Sequence, residues 1–310
     1  MVVMVEVFYW ILNMSILGSI LGMVLLFLRR IKKIPRLLIY LLWGLVFIRL
    51  LCPVGLMSGL SLLNLLPRGS SRMVPASEIL SDEQVRLSLL NFLQNATEYQ
   101  PMVLESSRVE KFYQIASFLW MTGGMLALVS NLVMYYLSGR EFRNLRLIRD
   151  DIYECEQVSM PMVYGLFQPK IILPAKVMSE DNNVGYLIAH ETTHRKRHDN
   201  LWRFLAIMVA CVHWFNPLIW LYVKKFFEDM ELACDEATIR KMEEGERKQY
   251  AYTILSYAKK DTNLYAASFS GSKVKARIEH VVTYRNLTFV SILGFSLMFL
   301  ILGILLLSNQ

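Results

Sequence analysis

Four nearly continuous apolar runs, at residues 7–28, 37–56, 112–137 and 287–307, set the plan of the chain, and each is long enough to cross a hydrocarbon layer as a helix. Between them the pattern breaks. Residues 57–111 are polar with nearly balanced charge, although 82–93 alternates like a short amphipathic helix that can lie on a bilayer surface. Residues 138–286 mix short apolar turns with charged positions and read as a domain of their own. Within it, Pro169-Lys-Ile-Ile-Leu-Pro174 predicts one short strand whose bracketing prolines discourage a wide sheet. The run 201–223 is apolar enough to span but carries Arg203, His213, Asn216 and Pro217.

Basic residues orient this plan. Arg29, Arg30, Lys32, Lys33 and Arg36 follow the first run; Arg140, Arg143, Arg146 and Arg149 follow the third; Lys273, Lys275, Arg277 and Arg285 precede the fourth. The positive-inside rule puts all three clusters in the cytoplasm, with both termini and the 57–111 loop outside and 138–286 cytoplasmic. The first run reads as a retained span, because it is too long for a signal-peptide core and its basic block follows it. The outer loop is either a sensing element or an inert connector.

Composition agrees with a multi-pass protein of the cell membrane: 55% of residues are hydrophobic and 19% charged, with a mean hydropathy of +0.37. The net charge of +7 sits beside apolar runs, the pattern of topology signals and anionic-lipid contact, and no nucleic-acid module is present. Cys52, Cys155, Cys211 and Cys234 are far apart and form no CxxC pair, which predicts reduced thiols.

Residues 138–286 also contain His190-Glu191-x-x-His194. On a helix of about 3.6 residues per turn the two histidines are neighbours on one face, with Glu191 beside them. Two imidazoles at that spacing can hold one tetrahedral ion, and the adjacent carboxylate can take a proton from water as it attacks a carbonyl. That is the chemistry of peptide hydrolysis. Asp181, Asn182 and Asn183 can cap the helix ahead of an apolar turn, a setting that chance histidines on a solvated face would lack.

A Zn2+ ion needs a third protein ligand. Residues 227–237 read as a helix on which Glu231 and Asp235 share a face at i, i+4, so Glu231 can complete a His2Glu set while Asp235 hydrogen-bonds a ligating imidazole. Glu228 and Glu236 are the fallback ligands. If 201–223 crossed the membrane, Glu231 would emerge on the face opposite His194, so that run predicts a helix hairpin turning at His213-Trp-Phe-Asn-Pro217 and dipping into the inner leaflet. His213 can donate to a tetrahedral oxyanion or pin the turn, and His198 and His280 read as solvent-facing or structural. Lys196, Arg197 and Asp199 form a charge cluster with no assigned chemistry.

With Pro161-x-x-x-Gly165-x-x-x-Pro169-x-Ile171-x-Leu173-Pro174, His190-Glu-x-x-His194-x-Lys196-Arg197-x-Asp199, His213-Trp-Phe-Asn-Pro217 and Glu231-x-x-Cys234-Asp235 in this order, the chain resembles the BlaR/MecR membrane zinc metallopeptidases, the antibiotic-sensing transducers of bacteria. The resemblance implies a mainly α membrane protein: four transmembrane helices, three in residues 1–137 and the last in 287–310, with a cytoplasmic helical gluzincin-like zinc peptidase domain carrying a short β element. It implies an endopeptidase with Zn2+ on His190, His194 and Glu231, Glu191 as general base and Asp235 orienting a ligand. The expected partners are membrane lipid and a protein or peptide substrate, either a winged-helix repressor or the chain itself, in the segment 259–275. The prolines at 169 and 174 frame an edge strand that either docks substrate or is merely structural. The family's best-known members continue into an outside penicillin-binding sensor domain. The chain ends at Gln310, so the expectation is regulated proteolysis rather than antibiotic sensing itself. Two other readings fit the motif: an HtpX- or CAAX-type processing protease, against which the His213-to-Pro217 block argues, and a non-catalytic, zinc-stabilised transducer. The sequence assigns no oligomeric state.

Overall fold

The computed structural model describes residues 2–31, 34–52, 56–57, 107–142, 145–158, 160–175, 184–260 and 264–284, together with Gly294, Leu297 and 308–309. Eight helices are described: α1 (Val2–Leu28), α2 (Arg36–Leu51), α3 (Ser107–Glu141), α4 (Val184–Lys196), α5 (Asp199–Val212), α6 (Pro217–Ile239), α7 (Glu244–Lys260) and α8 (Leu264–Thr283). The strands are β1 (Leu56–Met57), β2 (Arg146–Arg149), β3 (Ile152–Cys155), β4 (Met162–Tyr164), β5 (Lys170–Pro174) and β6 (Ser308–Asn309). The architecture is mainly helical with a small sheet.

Among the described residues, two helical stretches are long and apolar enough to cross a membrane, Val3–Leu28 and Lys111–Arg140. The span expected at 37–56 is not among them. Helix α2 has 16 residues, about 24 Å at the usual rise and short of the roughly 30 Å hydrocarbon layer. It stops because Cys52 precedes Pro53, whose ring excludes the helical region for its predecessor, and Cys52 is accordingly extended at φ −104°, ψ 114°. Most of the run 287–307 and of the 57–111 loop, including its amphipathic stretch, lies outside the described residues, as do the capping positions 181–183.

Helix α2 forms the centre of the largest apolar core. Its Ile39, Leu42, Trp43, Val46 and Leu50 are buried against Leu25 of α1, Ala206, Val209 and Ala210 of α5, and Ile219, Tyr222, Phe226 and Met230 of α6. Close approach of α1 needs glycine at two places: a Cβ on Gly18 would fall 2.3 Å from Leu50 Cδ2 and one on Gly22 2.1 Å from the Tyr222 ring. Helices α5 and α6 form a hairpin. Its second arm begins where Pro217 takes the first helical position, and Asn216 accepts from Leu218 N at 3.0 Å. Asn216 Nδ2 also donates to Ser15 Oγ (2.7 Å) and Ser19 Oγ (2.8 Å) on α1, and Trp120 Nε1 on α3 donates to Val212 O at 2.8 Å. The hairpin tip is therefore level with the middle of both long apolar helices.

The sheet runs β2-β3-β5-β4, with β3 parallel and β4 antiparallel to β5, while β1 and β6 form a separate two-residue pair. The expected edge strand at 169–174 is thus interior. Pro169 and Pro174 bracket β5 instead of interrupting it, which leaves its inner donors free to pair on both sides. Ile171 and Leu173 of β5 pack with Ile152, Val163 and, on α4, Ile188, so the sheet supports the helix that carries the histidines.

Candidate metal centre

Helix α4 presents His190, Glu191 and His194, all of them buried. Facing them, α6 brings Glu231 and, one turn on, Asp235. The Nε2 atoms of His190 and His194 lie 3.2 Å apart, and each is 3.6 Å from a Glu231 carboxylate oxygen. Ligand atoms bound tetrahedrally at about 2.0–2.1 Å stand about 3.3 Å from one another. The three groups therefore fit a single ion of zinc size.

Hydrogen bonds on the far side of each ring aim its nitrogens. His194 Nδ1 is 2.6 Å from Asp199 Oδ2, so Nδ1–H donates to the carboxylate and Nε2 keeps its lone pair for the centre. Tyr250 Oη donates to Asp235 Oδ1 at 2.6 Å and stands 2.8 Å from His190 Nδ1. The phenol oxygen is left to accept from Nδ1–H, which again frees Nε2. Asp235 itself is 3.3 Å from His190 Nδ1 and is gripped by Arg277 through Nε and Nη2 at 2.7 Å each. Burial raises the Asp235 carboxyl, and Arg277 then overrides it to hold it below its usual range.

Glu231 is flanked by guanidinium groups, Arg203 at 2.5 Å and Arg277 at 3.6 Å. Burial pushes its carboxyl up, but His194, His190 and Arg277 bring it well below the usual range. For His190, burial lowers the proton affinity and the neighbouring Cys234 and Glu231 reverse it, leaving it raised to about 10. His194 is likewise raised well above its usual value, burial being overcome by Glu231 and Asp199. The net direction for both imidazoles is upward, so protons compete with an ion for the Nε2 atoms. Zinc affinity, followed by competition with a chromophoric chelator, is expected to rise from neutral pH towards about 10, with up to about two protons released per ion. A flat profile would mean that the imidazoles are already neutral.

His190, His194 and Cys234 also form a buried group able to hold a metal ion, with ligand atoms within 4.8 Å of one another. Cys234 Sγ, however, lies 3.6 Å from His190 Nδ1, behind the ring edge that faces Glu231. One ion cannot take both nitrogens of one imidazole, so the Nε2 geometry favours Glu231. Burial raises the Cys234 thiol, and His190 and His194 bring it net below its usual value.

The other candidate residues sit elsewhere. Glu228 pairs with Arg29 and Lys225 at 2.8 Å each, and Glu236 accepts from Arg36 N at 2.9 Å. His213 is fully buried at the hairpin tip, its Nε2 3.0 Å from Leu50 O, which is the turn-pinning arrangement and does not reach the centre. His198 takes a left-handed φ of 54° between α4 and α5, and His280 Nε2 is 3.7 Å from Glu236. The charge cluster does have a task, because Asp199 holds His194 and is itself held by Tyr40 Oη at 3.0 Å and Arg197 at 3.4 Å. The sequence pattern does not single out Tyr250, and it marks Arg203 and Arg277 only as a charge in an apolar run and as a topology signal. Asp199→Ala and Tyr250→Phe are each expected to weaken zinc binding by about 10–100-fold, the usual cost of losing an outer partner, with an unchanged affinity assigning these side chains to folding alone.

A cleft of about 340 Å³ opens on the centre, and Glu191, His190, His194, Glu231, Arg203 and Met162 line it. Edge strand β4 borders the cleft, where Asn200 Nδ2 donates to Val163 O at 2.7 Å.

The family model described as BlaR1 peptidase M56 matches residues 9–281. The chain is 26% identical over 194 residues to the regulatory protein BlaR1 of Bacillus licheniformis, covering 54% of this chain and 32% of that protein. It is 28% identical over 138 residues to the methicillin resistance mecR1 protein of Staphylococcus aureus, covering 42% and 24%. The aligned segments thus span about a third of the first relative's length and about a quarter of the second's.

Proposed function

The chain belongs to the BlaR1 peptidase M56 family, and from that premise we propose that it is a membrane-embedded zinc endopeptidase acting in signal transduction. The observation that carries the reading is the convergence of two bare-able Nε2 atoms and one carboxylate at 3.2–3.6 Å beside Glu191. His190, His194 and Glu231 would hold Zn2+, which when bound polarises water and the substrate carbonyl. Glu191 takes the proton of the attacking water and passes it to the leaving amine. Asp199, and Asp235 through Tyr250, keep both imidazoles in the tautomer that faces the centre.

Substrate enters extended. The outer edge of β4 borders the cleft, so an unfolded peptide segment can add to it as a strand through backbone hydrogen bonds. The free edge is short because Asn200 already takes the Val163 carbonyl. A cytoplasmic repressor of the winged-helix kind and the chain itself remain the proposed substrates. Of the segment 259–275, residues 259–260 end α7 and 264–275 lie in α8, while 261–263 lie outside the described residues. Self-cleavage within α8 requires the helix to unwind first.

The long helices α1 and α3 would cross the membrane with their basic C-terminal ends in the cytoplasm, which puts the N-terminus outside and the metal centre inside. The chain would return outward along α2, whose Ile39, Leu42, Trp43, Val46 and Leu50 pack on α1 and α6 while Leu37, Leu41, Ile48 and Leu51 form an exposed apolar stripe. The test compares new protein N-termini in cells expressing wild type or Glu191→Ala at matched levels under several envelope stresses. Neo-termini found only with the wild type are the expected result. Identical termini in both, with zinc retained in both proteins, would make the protein a metal-stabilised transducer.

A further inference from the structure

A second cavity, of about 530 Å³, lies at the cytoplasmic end of α1, away from the metal centre. Its polar wall is entirely cationic: Arg29, Arg30, Arg36 and Lys225. The carboxylates nearby are Glu228 and Asp229, which pair with Arg29 and Lys225 at 2.8 Å and approach Arg36 at 3.9 Å, and Glu236, which accepts from Arg36 N at 2.9 Å. Four cations therefore share three anions. Arg30 stacks over the Phe27 ring, 5.5 Å from its centroid, and forms no ion pair among the described residues. The remaining wall is apolar, formed by Met23, Leu26, Phe27 and Leu221.

Met23 and Phe27 belong equally to an adjoining groove of about 520 Å³, which runs up α1 past Ile20 and Ile16 to Leu218 on α6. Its two polar residues are spoken for. Ser19 Oγ takes Asn216 Nδ2, and Asn216 Oδ1 caps α6. A cationic chamber at the level of the basic block thus opens into an apolar channel along a helix long enough to cross a bilayer.

We propose that this cleft between α1 and α6 binds a single anionic phospholipid, with its phosphate among Arg30, Arg36 and Lys225 and an acyl chain along Phe27, Met23 and Ile20. The surplus of cations suits a phosphodiester, which guanidinium groups bind through several hydrogen bonds. The channel selects an amphiphile over free phosphate. Basic residues at this depth face the leaflet that carries anionic headgroups, which they attract.

The test uses the full chain purified in neutral detergent, loaded with phosphatidylglycerol or phosphatidylcholine and washed, with retained lipid counted by native mass spectrometry. Retention of phosphatidylglycerol should exceed that of phosphatidylcholine by roughly tenfold. Arg30→Gln, on the surface of the chamber, should abolish the difference, and Ile20→Trp, which fills the channel from its lipid-facing side, should do so independently. Equal retention of the two lipids would overturn the proposal, as would an unchanged preference in both variants. Full displacement of phosphatidylglycerol by inorganic phosphate at equal concentration would instead identify a simple phosphate site and overturn it too.

Discussion

Glu231→Gln is expected to abolish zinc binding and peptidase activity together. Among the described residues the wild-type carboxylate is the only anion that both Nε2 atoms face at 3.6 Å, and it neutralises Arg203 and Arg277 alongside. An amide neither supplies the charge nor screens the two guanidinium groups from an incoming dication. The loss of zinc affinity should therefore exceed the about 10–100-fold cost of removing an outer carboxylate, and proteolysis should fall in step with metal content. The companion variant Cys234→Ser decides the ligand set. It should leave zinc affinity near that of the wild type; the reverse pattern, in which serine loses the metal and glutamine keeps it, would move the third ligand to Cys234.

The second large effect is on folding. Asp229 is fully buried, two residues before Glu231, and its carboxylate receives Arg29 Nε at 2.8 Å on each oxygen and Trp43 Nε1 at 2.9 Å. Asp229→Ala leaves Arg29 Nε and the buried indole N–H without their acceptor, and Arg29 keeps only Glu228. Removing one partner of a buried pair costs about 3–5 kcal/mol, which should appear as a much earlier unfolding midpoint in detergent. Glu228→Ala, on the partly exposed side of the same cluster, should cost about 1 kcal/mol or less. Equal midpoints for the two variants would show that the Asp229 cluster is not what holds α6 to α1 and α2.

Much of the site could be read from spacing, because HExxH and Glu231-x-x-x-Asp235 each lie within one helix and a helix fixes which side chains share a face. Asp199 could not be found in this way. It follows His194 by five residues, but the left-handed His198 lies between them and breaks the helical phase, folding the carboxylate back over the imidazole. Tyr250 and Arg277 come from α7 and α8, whose direction of approach depends on the packing of Ile239, Ile254 and Val281, not on any local pattern. The end of α2 did carry a signal in Cys52-Pro53, which the apolar run around it obscured. In the sheet, Pro169 and Pro174 suggested an edge strand, although terminal prolines leave all the inner donors available.

Tyr40 and Trp43, one turn apart on α2, each hold a carboxylate at the candidate metal centre: Tyr40 the Asp199 that aims His194, and Trp43 the Asp229 two residues before Glu231. The candidate centre is consequently not a cassette that recombination can cut out and attach to another anchor. A lineage that keeps the centre has to inherit α1 and α2 together with it, so novelty is free to enter only at positions outside that shared core.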